Sequence, residues 1–249
     1  MRFDDLFARE GKWLFRWRSY LPLLVLGIIV AALFGLKASD CDDSAIGFED
    51  VWEVVCLGVF FFGFGIRIFT IGHVADGTSG RNTRQQRADG LNTTGIYSLV
   101  RHPLYLGNLF IWLGVSMFLR LWWLSLIFVL IFWLFYERII YVEEEYLRKK
   151  FGKTWENWAA RTPIIIPKLK GYVKSALPFS IRNVLAKENH VFLNIVLAVT
   201  SIELLEGLIK EHRLGLGLMW IIILACALFI WIILRVLKKK TNLLAVEGR

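Results

Sequence analysis

Apolar residues gather in six runs, Tyr20–Leu36, Val51–Ile71, Leu104–Leu119, Leu121–Tyr136, Val191–Ile209 and Leu214–Leu237, and the charges gather between them. Runs of this length predict helices that cross a bilayer. The third and fourth are short: at 1.5 Å per residue their uncharged parts reach only about 24 Å, less than the roughly 30 Å hydrocarbon core. One continuous helix through Arg120 would overshoot the membrane and leave a charge near its centre. A short helical hairpin with its turn at Arg120 is therefore expected, although Leu119 to Leu121 supply no Gly or Pro. The predicted fold class is all-α, a polytopic transmembrane helical bundle of about six membrane segments with a cytoplasmic helical segment.

Loop charge orients the chain, because cytoplasmic loops collect Lys and Arg. Arg2, Arg9, Lys12, Arg16 and Arg18 precede the first run, and Asp40, Asp42, Asp43, Glu49 and Asp50 follow it. Arg81, Arg84 and Arg87 follow the second run, and Lys238, Lys239 and Lys240 the last. Both termini are expected in the cytoplasm. No small-residue cleavage pattern follows the first run, so it is expected to be retained as a span. The polar stretch Glu137–His190 carries eleven basic and six acidic residues and is expected outside the lipid. Within it, 148–162 reads as a polar helix bearing Phe151, Trp155 and Trp158, an aromatic face that would also suit the membrane interface.

Composition agrees with a membrane protein. The 249 residues are 56% hydrophobic, with 11 Trp and 19 Phe, and the net charge is +9. This basicity is distributed as loop charge, so no nucleic-acid partner is expected. Cys41, Cys56 and Cys226 have no paired spacing, and no His/Cys/Asp/Glu spacing resembles a metal site.

Two polar clusters carry candidate chemistry. Gly95-Ile-Tyr97-Ser-Leu-Val-Arg101-His102-Pro103-Leu104-Tyr105-Leu-Gly107 lies at the mouth of the third run. Pro103 suits the first turn of a helix, which leaves Arg101 and His102 beside backbone N–H groups that favour an anion. A basic anchor at the membrane surface is the competing role. Glu143-Glu144-Glu145 lies about two turns beyond the apolar part of the fourth run. Such a run is usually a solvated face, but three successive helical residues point in three directions, and at least one can turn toward the first cluster. In a hairpin both clusters emerge on one side, where cation and carboxylate would complement a zwitterion such as the methionine moiety of S-adenosylmethionine.

These clusters resemble the isoprenylcysteine carboxyl methyltransferase and phospholipid methyltransferase superfamily of integral membrane enzymes. The resemblance runs over roughly residues 89–167. It includes Arg101-His102-Pro103-Leu104-Tyr105-Leu106-Gly107, the Glu143-Glu144-x-x-Leu147 motif, and then Phe151-Gly152, Trp155, Trp158, Arg161, Pro163 and Pro167. It implies a cradle for S-adenosylmethionine made of Tyr97, His102, Pro103, Leu104, Tyr105 and Glu143, with Glu144 beside it and backbone contacts from Gly90, Leu91 and Asn92. Asp89 stands where family members often have a His, and Arg138 sits one position from the arginine that prenylcysteine enzymes carry near the Glu pair. Arg101, Arg138 and Arg161 are the candidates to hold an anionic acceptor.

The implied activity is S-adenosylmethionine-dependent methylation of a membrane lipid or lipidated acceptor, with O-methylation of a carboxylate or phosphate preferred. N-methylation of phosphatidylethanolamine and S-methylation of a small thiol are the alternatives. A sterol-reductase-like enzyme and a non-catalytic membrane protein are the readings from other classes. The expected organisation is an N-terminal membrane pair with its loop over 1–88, a methyltransferase core over 89–170, and a linker with a C-terminal pair over 171–249.

Outside the motifs, Glu203 and Glu206 share a helical face in the fifth run, either lining an acceptor cavity or approaching the surface near Lys210 and Arg213. Arg67, near the end of the second run, is expected to snorkel as an anchor.

Overall fold

A computed structural model describes residues 3–20, 27–28, 48–78, 86–118, 120–211, 215–246 and 248. Among them are seven α-helices: α1 (Phe3–Trp17), α2 (Phe48–Gly72), α3 (Pro103–Met117), α4 (Trp122–Phe151), α5 (Lys153–Ala159), α6 (Ile181–Glu211) and α7 (Leu218–Lys240). Four stretches, Val51–Gly72, Trp122–Phe151, Ile181–Leu205 and Leu218–Lys240, are long and apolar enough to cross a membrane, and α3 is a shorter apolar helix. This is a helical membrane bundle. The expected first span, Tyr20–Leu36, and the acidic loop after it lie largely outside the described residues.

α3 and α4 are separated by a turn at Arg120, which supplies the left-handed backbone itself at φ 57°. The indole of Trp52 on α2 donates to the Met117 carbonyl at 2.9 Å and fastens the end of α3. Glycines bring α2 and α3 together: a Cβ on Gly63 would stand 2.6 Å from the Gly107 carbonyl oxygen, and one on Gly114 2.8 Å from that of Cys56. Small residues permit such close approach where the surrounding lipid supplies no hydrophobic drive. α4 continues for 30 residues, so its first half is apolar and its last turns carry Glu143, Glu144 and Glu145 beyond the apolar stretch.

The expected helix over 148–162 is corrected. Gly152, at φ 53°, ends α4, and a separate seven-residue helix follows. Within the polar stretch Glu137–His190, α6 begins at Ile181 and continues into the fifth apolar run. Two polar side chains of its first turns are buried and paired: Asn183 Nδ2 donates to the Ile71 carbonyl at 2.7 Å, and Glu188 meets Arg67.

Arg67 is likewise not a snorkelling anchor. It is 8% exposed, and its guanidinium spends three N–H groups inside the bundle. Nε and Nη2 reach the two oxygens of Glu188 at 2.8 and 2.9 Å, and Nη1 reaches Asn108 Oδ1 at 2.6 Å. Burial without such pairing is expensive, and the carboxylate from α6 makes a route to water unnecessary.

α1 is an amphipathic helix beside α4. Gly11 lies against the Arg138 carbonyl and Val142, so a side chain there would collide with α4. Leu14 and Phe15 are each 5% exposed in the same core cluster as Tyr105, Tyr136 and Ile139.

Candidate active site

The first cluster is built by a short 3-10 turn, Ile96–Ser98, followed by α3 with Pro103 at its start. Gly95 enters the turn at φ 63°, a left-handed conformation that side chains disfavour. The segment after α5 runs back along this entrance and clamps it. Arg101 N donates to the Pro163 carbonyl at 2.9 Å, His102 N to Ile164 at 3.2 Å, Lys168 N to Leu99 at 3.1 Å and Gly95 N to Val173 at 2.8 Å. Trp158 Nε1 adds a bond to the Tyr97 carbonyl at 3.0 Å. The Trp158, Pro163 and Pro167 region thus holds the backbone of the Arg-His-Pro turn in place.

The Glu motif meets the Arg-His motif although 42 residues separate His102 from Glu144. His102 stands between two carboxylates, its Nε2 3.1 Å from Glu144 Oε1 and its Nδ1 3.6 Å from Glu143 Oε2. Arg101 Nη1 pairs with the same Glu144 oxygen at 2.9 Å. The guanidinium lies 5.9 Å from the Trp155 ring centroid. The Tyr105 ring stacks on His102 at 5.5 Å, and its hydroxyl accepts from Arg18 Nη1 at 2.9 Å. Glu145 instead pairs with exposed Lys149 at 2.5 Å.

Beside this cluster is a solvent-open cleft. Of the residues singled out from sequence, Gly90, Leu91, Asn92, Tyr97, Arg101, His102, Pro103, Leu104, Tyr105 and Glu143 line it. Glu144 sits behind the wall as the partner of Arg101 and His102. Arg138 turns toward α1, with Nε 2.7 Å from Glu10 Oε2 and its guanidinium 4.7 Å above the Phe7 ring. Arg161 is exposed and bonds the Asn157 carbonyl at 3.1 Å. The structure therefore brings one of the three candidate arginines, Arg101, to the cleft.

Two buried polar atoms of cleft residues have no hydrogen-bond partner, Arg101 Nε and Gln86 Nε2. Buried donors are ordinarily satisfied, so both stand out among the cleft residues. Burial and the nearby Glu143 carboxylate push the Tyr97 hydroxyl well above its ordinary pKa, against an opposing hydrogen bond from Asn92. Tyr97 is thus a neutral donor across the working pH range. Asp89, in the position where a His is common, is held by Arg87, whose Nη2 is 2.6 Å away; that hydrogen bond keeps its carboxyl below the ordinary range.

Sequence reasoning missed Phe15, Thr78, Gln86, Arg87 and Tyr146 in the lining. For Phe15 a signal exists: Phe7, Gly11, Leu14, Phe15 and Arg18 recur at helical spacing, but the basic residues among them also read as plain loop charge.

The phospholipid methyltransferase family model matches residues 53–154, from α2 to the start of α5. The protein-S-isoprenylcysteine O-methyltransferase of Schizosaccharomyces pombe is 34% identical over 177 residues, 67% of this chain and 72% of that relative. The chain belongs to the isoprenylcysteine and phospholipid methyltransferase superfamily. It is accordingly a membrane methyltransferase.

Protein-S-isoprenylcysteine O-methyltransferase B of Arabidopsis thaliana is 30% identical over 114 residues, 42% of this chain and 58% of the relative. The cobalt-zinc-cadmium resistance protein CzcN of Cupriavidus metallidurans is 34% identical over 110 residues, 43% of this chain and 48% of the relative. No solved structure matches the chain. In this methyltransferase the matched region coincides with α2, the α3–α4 pair and the Arg-His-Pro and Glu-Glu motifs.

Proposed function

We propose that this methyltransferase uses S-adenosylmethionine to methylate an anionic group of a lipid or lipidated acceptor. The observation that carries the reading is the opposition of the Glu143 carboxylate and the unpartnered Arg101 Nε on one cleft. Those two signs complement the ammonium and carboxylate of an amino acid moiety. Gly90, Leu91 and Asn92 offer backbone and amide groups, and Tyr97, Tyr105 and Trp158 offer ring surface for a purine.

When bound, S-adenosylmethionine would supply a sulfonium-activated methyl group for in-line transfer to the acceptor, with S-adenosylhomocysteine as the leaving group. This chain's work is then positioning and water exclusion. Glu144 fixes Arg101 and His102 from behind, so that neither ring nor guanidinium needs to reorganise around a ligand. A carboxylate or phosphate acceptor arrives ionised and requires no base. The acceptor is taken to enter from the membrane, and the active site and both termini are assigned to the cytoplasmic side on the distribution of basic loops.

The names of the isoprenylcysteine relatives support a lipidated carboxylate. An amine acceptor is the second reading, favoured by the phospholipid methyltransferase match.

Purified protein given tritiated S-adenosylmethionine and either a farnesylated cysteine or phosphatidylethanolamine tests both. Alkali releases volatile tritiated methanol from a methyl ester and not from a methylamine. Release from the farnesylated product is expected. Alkali-stable label in the phospholipid alone would replace the carboxylate reading by the amine one, and no cofactor binding at all would remove both.

A further inference from the structure

Arg138, aimed away from the cleft, belongs to a second concavity. A groove of about 500 Å³ runs between α1 and α4, lined by the apolar Trp13, Leu14, Leu134 and Phe135 and the charged Arg9, Glu10 and Arg138. Leu134 and Phe135 are in the last turn of the apolar half of α4, and Arg138 is one turn further, past Glu137. The groove's apolar residues on α4 thus fall at the end of its apolar half and its arginine just beyond it, the order expected from hydrocarbon to headgroup.

The outer side of α1 has the same composition. Arg9, Lys12 and Arg16 are exposed, and so are Trp13, Trp17 and Tyr20, whose rings follow one another at 6.3 and 5.4 Å. Amphipathic helices with cations and indoles on the outer side lie in the bilayer interface.

We propose that this groove binds one anionic phospholipid that is not the methyl acceptor. An acyl chain lies along Trp13, Leu134 and Phe135, and the phosphate faces Arg9 and Arg138. Glu10 offsets the charge of Arg138 through Nε, and Arg138 Nη1 bonds the Leu134 carbonyl at 2.7 Å, so the groove keeps one net positive charge, with Arg9 as the principal cation for the phosphate and Arg138 Nη2 as a further donor. A zwitterionic lipid carries the same phosphate but would bring its ammonium against Arg9, Lys12 and Arg16, which selects for a headgroup without one. α1 is the wall between this lipid and the chemistry, because Leu14 lines the groove and its neighbour Phe15 lines the cleft. A lipid clamped here fixes the helix from which Phe15 and Arg18 reach the cleft and Tyr105.

The test uses the full-length protein in neutral detergent with a phosphatidylglycerol bearing a photoreactive acyl chain. Crosslinked peptides should contain residues 9–14 and 134–138, and unlabelled phosphatidylglycerol should compete where phosphatidylcholine does not. Arg9→Glu should weaken labelling about tenfold or more, from two units of charge at the headgroup. Leu134→Trp, which fills the groove, should abolish it, while Lys174→Glu, an equal charge change elsewhere, should leave it intact. Labelling at other helices, equal competition by phosphatidylcholine, or equal loss in the Lys174 variant would overturn the site. The wild-type crosslinking and competition decide between these outcomes even if a groove variant fails to fold.

Discussion

Two clusters of opposite charge join distant parts of this chain, and they differ in what they leave over. Arg67 and Glu188 satisfy each other inside the bundle: three guanidinium N–H groups are taken by Glu188 and Asn108, and the two side chains are 10% and 2% exposed. Arg101, His102, Glu143 and Glu144 also meet across the fold, yet Arg101 Nε is left without a partner and Glu143 faces a cleft. The closed cluster can only hold helices together. The open one has binding capacity to spare, and that difference separates a structural ion pair from a site more surely than burial does.

The largest expected effect tests the closed cluster. Glu188→Ala leaves Arg67 charged and uncompensated in the bundle and should destabilise the protein by about 3–5 kcal/mol. Thermal unfolding in detergent would register this. Glu188→Gln keeps a hydrogen-bond acceptor and should fall between that variant and wild type. If Glu188→Ala unfolds at the wild-type temperature, the pair does not clamp α6 to α2.

Next is Glu143→Gln, which should weaken S-adenosylmethionine binding by roughly 1.5–3 kcal/mol, about tenfold to a hundredfold, with little change in unfolding temperature. Glu145→Gln, whose carboxylate pairs with Lys149 on the surface, should alter neither. Equal losses of affinity for the two, measured by calorimetry, would erase the distinction between the cleft face of α4 and its solvated face.

A smaller effect is expected from Trp158→Phe, which removes the indole donor to the Tyr97 carbonyl while keeping the ring surface. One net hydrogen bond of about 0.5–1.5 kcal/mol should appear as a few-fold loss of cofactor affinity. The smallest is Arg161→Ala: an exposed side chain bonding only the Asn157 carbonyl of the preceding helix should change activity by less than about twofold, which steady-state kinetics would resolve. A large loss there would mean that the acceptor reaches beyond the cleft to that arginine.

Much of the fold is legible in the linear chain, because the cues are local. Apolar run length gives the bundle, the short third and fourth runs give the break at Arg120, and Pro103 marks the start of α3. The Arg-His-Pro and Glu-Glu motifs can be paired from sequence, since a hairpin returns both to one end. The break inside 148–162 escapes the same reasoning because a single glycine at positive φ outweighs periodicity.

What the chain does not disclose is which partner each polar group finds. Arg67 reads as an anchor because Glu188 is 121 residues away and a sequence assigns no contact across that distance. Arg138 and Arg161 have the right charge near the right motif, but helix phase and the packing of α1 direct them elsewhere. The sequence by itself determined the membrane bundle, through composition and apolar run length, and it carries the two motifs on which the resemblance to the family rests. The tertiary structure alone decided which of those charges close on each other inside the bundle and which line the cleft, because hydrogen-bond satisfaction is settled by contacts between helices and not by the order of residues within them.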